Sequence, residues 1–163
     1  MITGNRPTLT LFCGLPGSGK TTVAKRIEST EDAVRVCTDD WQERLGVPHS
    51  DEAFHNVLQD ALYEHALTLL AHGLDVILED GLWTRAERTQ KLADARRLGA
   101  RTHLHFFDLD LATLQARVER RNAERPPGAV PIDVDQLVLW HETVFDRPDE
   151  HELARFDEVT IHR

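Results

Sequence analysis

Eight consecutive residues, Gly14-Leu15-Pro16-Gly17-Ser18-Gly19-Lys20-Thr21, constrain this chain more than any other stretch: they fit the pattern G-x-x-x-x-G-K-[ST] between two elements of defined type. Leu9-Thr10-Leu11-Phe12-Cys13 before them is apolar and β-prone, and Thr22-Val23-Ala24-Lys25-Arg26-Ile27 after them spaces its apolar residues as a helix does. Strand, glycine loop and helix follow in the order the pattern requires. The glycines allow successive backbone N–H groups to point inward at an anion, and the helix adds its unpaired N–H groups and positive dipole end. Lys20 is then a flexible point charge that reaches β- and γ-phosphates, while Thr21 offers a hydroxyl to Mg²⁺. With Gly14, Pro16, Gly17, Ser18, Gly19 and Thr22 around them, these residues predict a site for a nucleoside triphosphate, taken as ATP with Mg²⁺.

The 163 residues predict one domain over 1–163, with a single core built around that site. A formal net charge of −9 removes the broad basic footprint that nucleic acid binding calls for, so a polynucleotide would need a locally basic groove. Cys13 and Cys37 each end an apolar run, where free thiols behave as small buried hydrophobes, and a cytoplasmic location follows as the expectation. No apolar run approaches the roughly 20 residues of a membrane span, and no basic segment followed by an apolar signal region opens the chain.

Ala33 to Cys37 reads as a second strand, running into Thr38-Asp39-Asp40-Trp41. From Asp51 to His72 the apolar residues Phe54, Val57, Leu58, Ala61, Leu62, Leu69 and Leu70 mark a long amphipathic helix that Gly73 stops. Leu74 to Leu78 is a buried-type strand ending at Glu79-Asp80. Thr84-Arg85-Ala86-Glu87 has capping-box spacing, which starts a helix that continues to about Leu98 and ends at Gly99. Thr102 to Phe107 gives the next strand, Asp108 or Asp110 caps a helix to Asn122, and Ala123 to Pro131 forms a loop. Asp133 to Phe145 is a further helix and Glu158 to Ile161 a last strand. Five strands alternating with helices predict a parallel sheet covered on both faces, with its site beyond the strands' carboxyl ends.

That rule brings three segments to one crevice: the glycine loop, Asp39 with Asp40, and Glu79 with Asp80. Asp39 is the first candidate for general base, with Asp40 the alternative, since phosphoryl transfer to a hydroxyl needs a carboxylate to orient the nucleophile and take its proton. Asp40 is placed with the acceptor, as are Trp41, Trp83 and Arg88; either tryptophan can wall that pocket or pack beneath it. Glu79 holds the metal-side position, with Thr21, and also borders the acceptor; Asp80 competes for it. Arg117 and Arg121 lie four apart on one helical face beside a loop with Pro126, Pro127 and Gly128. They read as a lid in which Arg117 holds the nucleotide and Arg121 stabilises the transferring phosphoryl, while Arg120 and Arg125 fit a solvated face. His103-x-His105 puts two imidazoles on one strand face, with no third ligand nearby to predict a metal.

Together, the loop Gly14–Thr22 and the segments 38–41, 79–88, 117–122 and 145–150 resemble the small P-loop kinases related to zeta toxins, polynucleotide 5′-hydroxyl kinases and chloramphenicol phosphotransferases. The resemblance covers nearly the whole chain, and only its first segment is highly specific alone. It implies a three-layer P-loop NTPase fold, a five-stranded parallel sheet of the nucleotide-kinase type with a short arginine-bearing lid, and transfer of the ATP γ-phosphate to a hydroxyl. By position it supports Asp39 as base, Lys20 and Thr21 at phosphate and magnesium, and Arg117 and Arg121 in the lid. The chain departs where Trp41 and Gln42 follow the acid pair in place of an arginine, and where Glu79 replaces the more usual aspartate. The leading expectation is a kinase with a small-molecule hydroxyl acceptor; a polynucleotide 5′-hydroxyl kinase and an ATP-hydrolysing switch protein are the alternatives.

Overall fold

The computed structural model of the protein describes residues 4–127 and 130–163. Among them are five strands, β1 (Thr8–Cys13), β2 (Ala33–Val36), β3 (Asp75–Leu78), β4 (Arg101–Phe107) and β5 (Glu158–His162). The helices are α1 (Lys20–Thr30), α2 (Thr38–Arg44), α3 (Glu52–Ala71), α4 (Arg85–Arg97), α5 (Leu111–Glu124), α6 (Val134–Thr143) and α7 (Glu150–Leu153). All neighbouring strands pair in parallel in the order β2-β3-β1-β4-β5, with Leu11 of the central strand level with Leu78 on one side and Leu104 on the other. Each crossover returns over a face of the sheet, so every loop that follows a strand opens at the same end.

Side-chain alternation divides the core into two layers. Leu9, Leu11, Cys13, Val76 and Leu78 point to the face covered by Tyr63, Ala66 and Leu70 of α3 and Leu92 and Ala95 of α4. Phe12, Ile77 and Phe107 point the other way, against Val23 and Ala24 of α1. Leu15 of the glycine loop packs with Leu114 and Val118 of α5 and Leu137 of α6, so the loop rests on a small core of its own.

The predicted capping box is present: Thr84 Oγ1 accepts from Glu87 N, and Glu87 Oε2 accepts from Thr84 N. Asp51 caps α3, and Asp110, not Asp108, caps α5; Asp108 instead accepts two hydrogen bonds from Arg147. Several expectations change. Thr38 to Trp41 forms the first turn of α2, with Asp39 and Asp40 inside a helix where carboxylates suit the positive end. Val57 faces solvent at 70 % exposure, since the buried stripe of α3 runs instead through Tyr63, Ala66 and Leu70. The helix of α5 extends to Glu124, into the segment expected to be loop, and Gly128 of that loop lies outside the described residues. The single turn α7, capped by Asp149, was not anticipated. No described helix is long and apolar enough to cross a membrane, and Cys13 and Cys37 are both free and buried.

Candidate active site

The glycine loop fills the space between the end of β1 and the start of α1. Gly17 and Gly19 sit at φ 83° and 99°, in the left-handed region, and a Cβ on Gly17 would lie 2.7 Å from a Val118 methyl. Conformation and packing therefore both demand glycine at position 17. The loop is braced from behind: Gly14 N donates to Gly81 O at 3.0 Å, and Trp83 Nε1 donates to Gly14 O at 3.1 Å. Lys20 is half-buried and folds back on the loop, donating to Gly14 O at 2.8 Å and Leu15 O at 2.9 Å. Burial pushes its ammonium down to about 8, against the upward pull of Glu79, Cys13 and Asp39.

Glu79 and Asp80 leave the end of β3 in opposite directions, as successive residues of a strand must. Thr21 Oγ1 donates to Glu79 Oε1 at 2.5 Å. The other Glu79 oxygen receives Arg35 Nε at 2.6 Å, and Arg35 Nη1 continues to Asp40 Oδ2 at 2.7 Å. Arg35 and Glu79 side chains are only 7 % and 5 % exposed, so this is a desolvated pair. Burial pushes Asp40 up, but the hydrogen bond and charge of Arg35 outweigh it and hold the carboxyl below its usual range. Arg35 is a site residue that sequence reasoning missed; an arginine inside a short edge strand gives no local sign of which carboxylates it will meet. A hydroxyl and a carboxylate oxygen meeting beside the loop form a hard donor pair of the kind Mg²⁺ takes, with substrate phosphates and water completing its shell.

Asp39 stands apart from this network. Its side chain is 69 % exposed, with Oδ1 3.7 Å from His55 Nδ1 and 3.9 Å from His49 Nδ1. Asp80 turns toward α3 and accepts from Gln59 Nε2 at 3.0 Å. Of the two, Glu79 faces Thr21, and Asp80 faces Gln59.

Two proposed acceptor residues lie elsewhere. Arg88 is wholly buried, its guanidinium bonded to both oxygens of Glu152 and to the carbonyls of Leu82, Trp83 and Asp146. Its donors are engaged in pinning the corner after β3 to α7, so it is not available to an acceptor. The acceptor role assigned to Arg88 is therefore withdrawn. Trp83 packs on Trp140 at a tilt, ring centroids 5.1 Å apart, and its indole supports the loop from behind. Trp41 is exposed, under Arg44 at 5.7 Å.

On the far side of the loop lies a cleft of about 320 Å³, bordered by Thr22, Phe107, Leu109, Arg117, His162 and Arg163. Arg117 Nη1 donates to Ser18 O at 3.2 Å, tying α5 to the loop. Arg121, one turn on, is exposed and close enough to Lys20 to act on its charge. Phe107, Leu109, His162 and Arg163 were not foreseen, although the ends of β4 and β5 are where the strand-end rule directs attention. The His103 and His105 rings lie 4.2 Å apart at a tilt, and His162 joins them, with His105 Nδ1 2.9 Å from His162 Nε2.

Residues 9–143 match the family described as AAA domain, whose members here include P-loop kinases. No curated protein matches the sequence. Among solved structures, the Pnkp1/Rnl/Hen1 complex is similar at 25 % identity and TM-score 0.61 over 71 % of this chain; the chain spans only 40 % of that protein's length. Kti12 of Chaetomium thermophilum, solved with ADP-AlF3, matches at 18 % identity and TM-score 0.65, covering 95 % of this chain and 88 % of that one. A gluconokinase from Sinorhizobium meliloti matches at 16 % identity and TM-score 0.59, covering 97 % and 82 %.

Proposed function

The chain belongs to the AAA domain family, within its P-loop kinases, and from that premise we propose that it transfers the γ-phosphate of ATP to a hydroxyl of a small-molecule acceptor. One observation carries the reading: an exposed carboxylate, Asp39, stands at the same sheet end as the phosphate loop while its neighbours Asp40 and Glu79 are held by Arg35. A carboxylate free of ion pairing with arginine or lysine can accept a hydrogen bond from an acceptor hydroxyl and take its proton as the oxygen attacks.

The base of ATP fits the cleft between Arg117 and Phe107, and its phosphates lie along the N–H groups of residues 17–21. Lys20 exchanges the carbonyls of Gly14 and Leu15 for phosphate oxygens, which favour its charged form. Thr21 and Glu79 are the residues to hold Mg²⁺, which supplies charge neutralisation to the phosphates when bound. Arg121 is placed to follow the transferring group. A polynucleotide 5′-hydroxyl acceptor is the second reading, favoured by the 25 % identity to the Pnkp1 complex and opposed by the net charge of −9.

ADP release from Mg·ATP over a panel of hydroxyl acceptors, with Asp39→Asn alongside, tests the proposal. Acceptor-dependent turnover that falls roughly 10²–10⁴-fold in the variant is expected. Hydrolysis indifferent to every acceptor and to Asp39→Asn removes the assignment.

A further inference from the structure

Resting on that kinase reading, we infer that the acceptor is a small hydroxylated molecule without an anionic group, uncharged or amino-bearing, gripped by Asp80, His55 and Gln59 between α2 and α3. His55 and Gln59 are one turn apart on α3 and share a face. Gln59 holds one oxygen of Asp80 at 3.0 Å. His55 Nδ1 lies 2.9 Å from Gln42 Oε1, and Gln42, fully buried, donates its own nitrogen to Pro48 O at 2.8 Å. The amide oxygen of Gln42 therefore faces the ring, and Nδ1 carries the proton that it accepts. The same ring is 3.7 Å from Asp39, the proposed base, so whatever hydroxyl reaches Asp39 passes beside it.

Asp80 supplies the second, independent observation. It is 8 % exposed, and its other oxygen accepts no hydrogen bond among the described residues, yet it is not sealed from solvent. Lys91, His55 and Asp39 all lie near enough to Asp80 to act on its charge. A nearly buried carboxylate with one open oxygen matches a hydroxyl or an ammonium hydrogen and repels an anion. Two neighbouring cations are already balanced by carboxylates: Arg35 by Glu79 and Asp40, and Lys91, which sits over the Tyr63 ring at 3.5 Å from its centroid, by Asp80 itself. A phosphate or carboxylate on the acceptor would enter against Asp39 and Asp80 and would compete with those carboxylates for the charges of Arg35 and Lys91.

The experiment is ADP release from Mg·ATP with sorbitol, an aminoglycoside, glucose 6-phosphate and a 5′-hydroxyl oligonucleotide, each raised to about 10 mM, well above common KM values. Wild type, Asp80→Asn and Asp39→Asn are compared. Asparagine at 80 keeps the hydrogen bond from Gln59, so a purely structural role is left intact. Turnover with sorbitol or the aminoglycoside is expected, with KM raised roughly tenfold by Asp80→Asn at little changed kcat, and kcat lowered by Asp39→Asn. Turnover confined to the two anionic acceptors, no turnover with either anion-free one, or an unchanged KM in Asp80→Asn overturns the acceptor class. Acceptor-independent hydrolysis untouched by Asp39→Asn overturns the kinase reading beneath it, a result distinct from the others.

Discussion

The crevice has two halves, divided by β1, that are built from different materials. On the β2 and β3 side, Arg35, Asp39, Asp40, Glu79 and Asp80 form a charged mosaic with histidines at its rim. On the β4 and β5 side, rings stack in a column: Phe12 on His105 at 5.2 Å, His105 on His162 at 5.2 Å, and His162 on Phe107 at 4.4 Å. The imidazoles of that column are electrically silent near neutrality, since burial and the neighbouring His103 and His162 push His105 down to about 3. The contrast teaches what each half has to do. On the proposed function, the half that moves a phosphoryl group and a proton has its charges fixed at defined points, whereas the half proposed to receive the base offers flat ring faces, Phe107 and His162, beside Arg117 and Arg163.

The contrast is broken most severely from the charged side. Arg35→Met leaves Glu79 buried without its partner and is expected to destabilise the fold by about 3–5 kcal/mol, measured by denaturant unfolding. Adding Glu79→Gln should recover much of that loss, because the uncompensated charge is then gone; no recovery would mean that Arg35 acts through packing.

Next in size is a pH effect that belongs to Lys20 and not to the imidazoles. Nucleotide binding requires the ammonium, so affinity for a fluorescent ATP analogue should hold from pH 6 to 7 and weaken roughly tenfold by pH 9, as pH rises past about 8. Fold stability moves the other way: the folded state releases the Lys20 proton between about 8 and the usual 10.5, so this residue's contribution grows across that range and is lost as pH falls through about 8. An affinity that titrates near pH 6 instead would assign the charge to the ring column. Smallest is Phe107→Leu, which keeps apolar bulk and removes one stacked ring. A loss of about 0.5–1.5 kcal/mol in nucleotide affinity is expected, read by the same titration, and an unchanged affinity would move the base out of the cleft.

How much of this was legible in sequence depends on the range over which each residue's role is set. Gly17, Gly19, Lys20 and the Thr84–Glu87 box were readable because backbone conformation within a few residues dictates their types. The sheet followed from element order, and the strand-end rule located Asp39, Asp40, Glu79 and Asp80 together. Arg88 was misread because its partner, Glu152, lies 64 positions away on a helix of one turn. The spacing Asp149-x-x-Glu152, in which Asp149 Oδ1 accepts from Glu152 N, was a signal for that turn that went unused. Arg35 and the base cleft were hidden for the same reason, as both exist only when separate strands are aligned.

The carbonyl of Gly14 accepts from two donors, the ammonium of Lys20 and the indole of Trp83. When a phosphate draws Lys20 away, only one of the two departs. On the proposed function, the indole keeps its bond while a positive charge leaves the oxygen it binds, and an excited indole is sensitive to just such a change of local field. Trp83 is thus a candidate optical gauge: with Trp41 and Trp140 replaced by phenylalanine, its emission colour should distinguish a loaded loop from an empty one, with no dye attached.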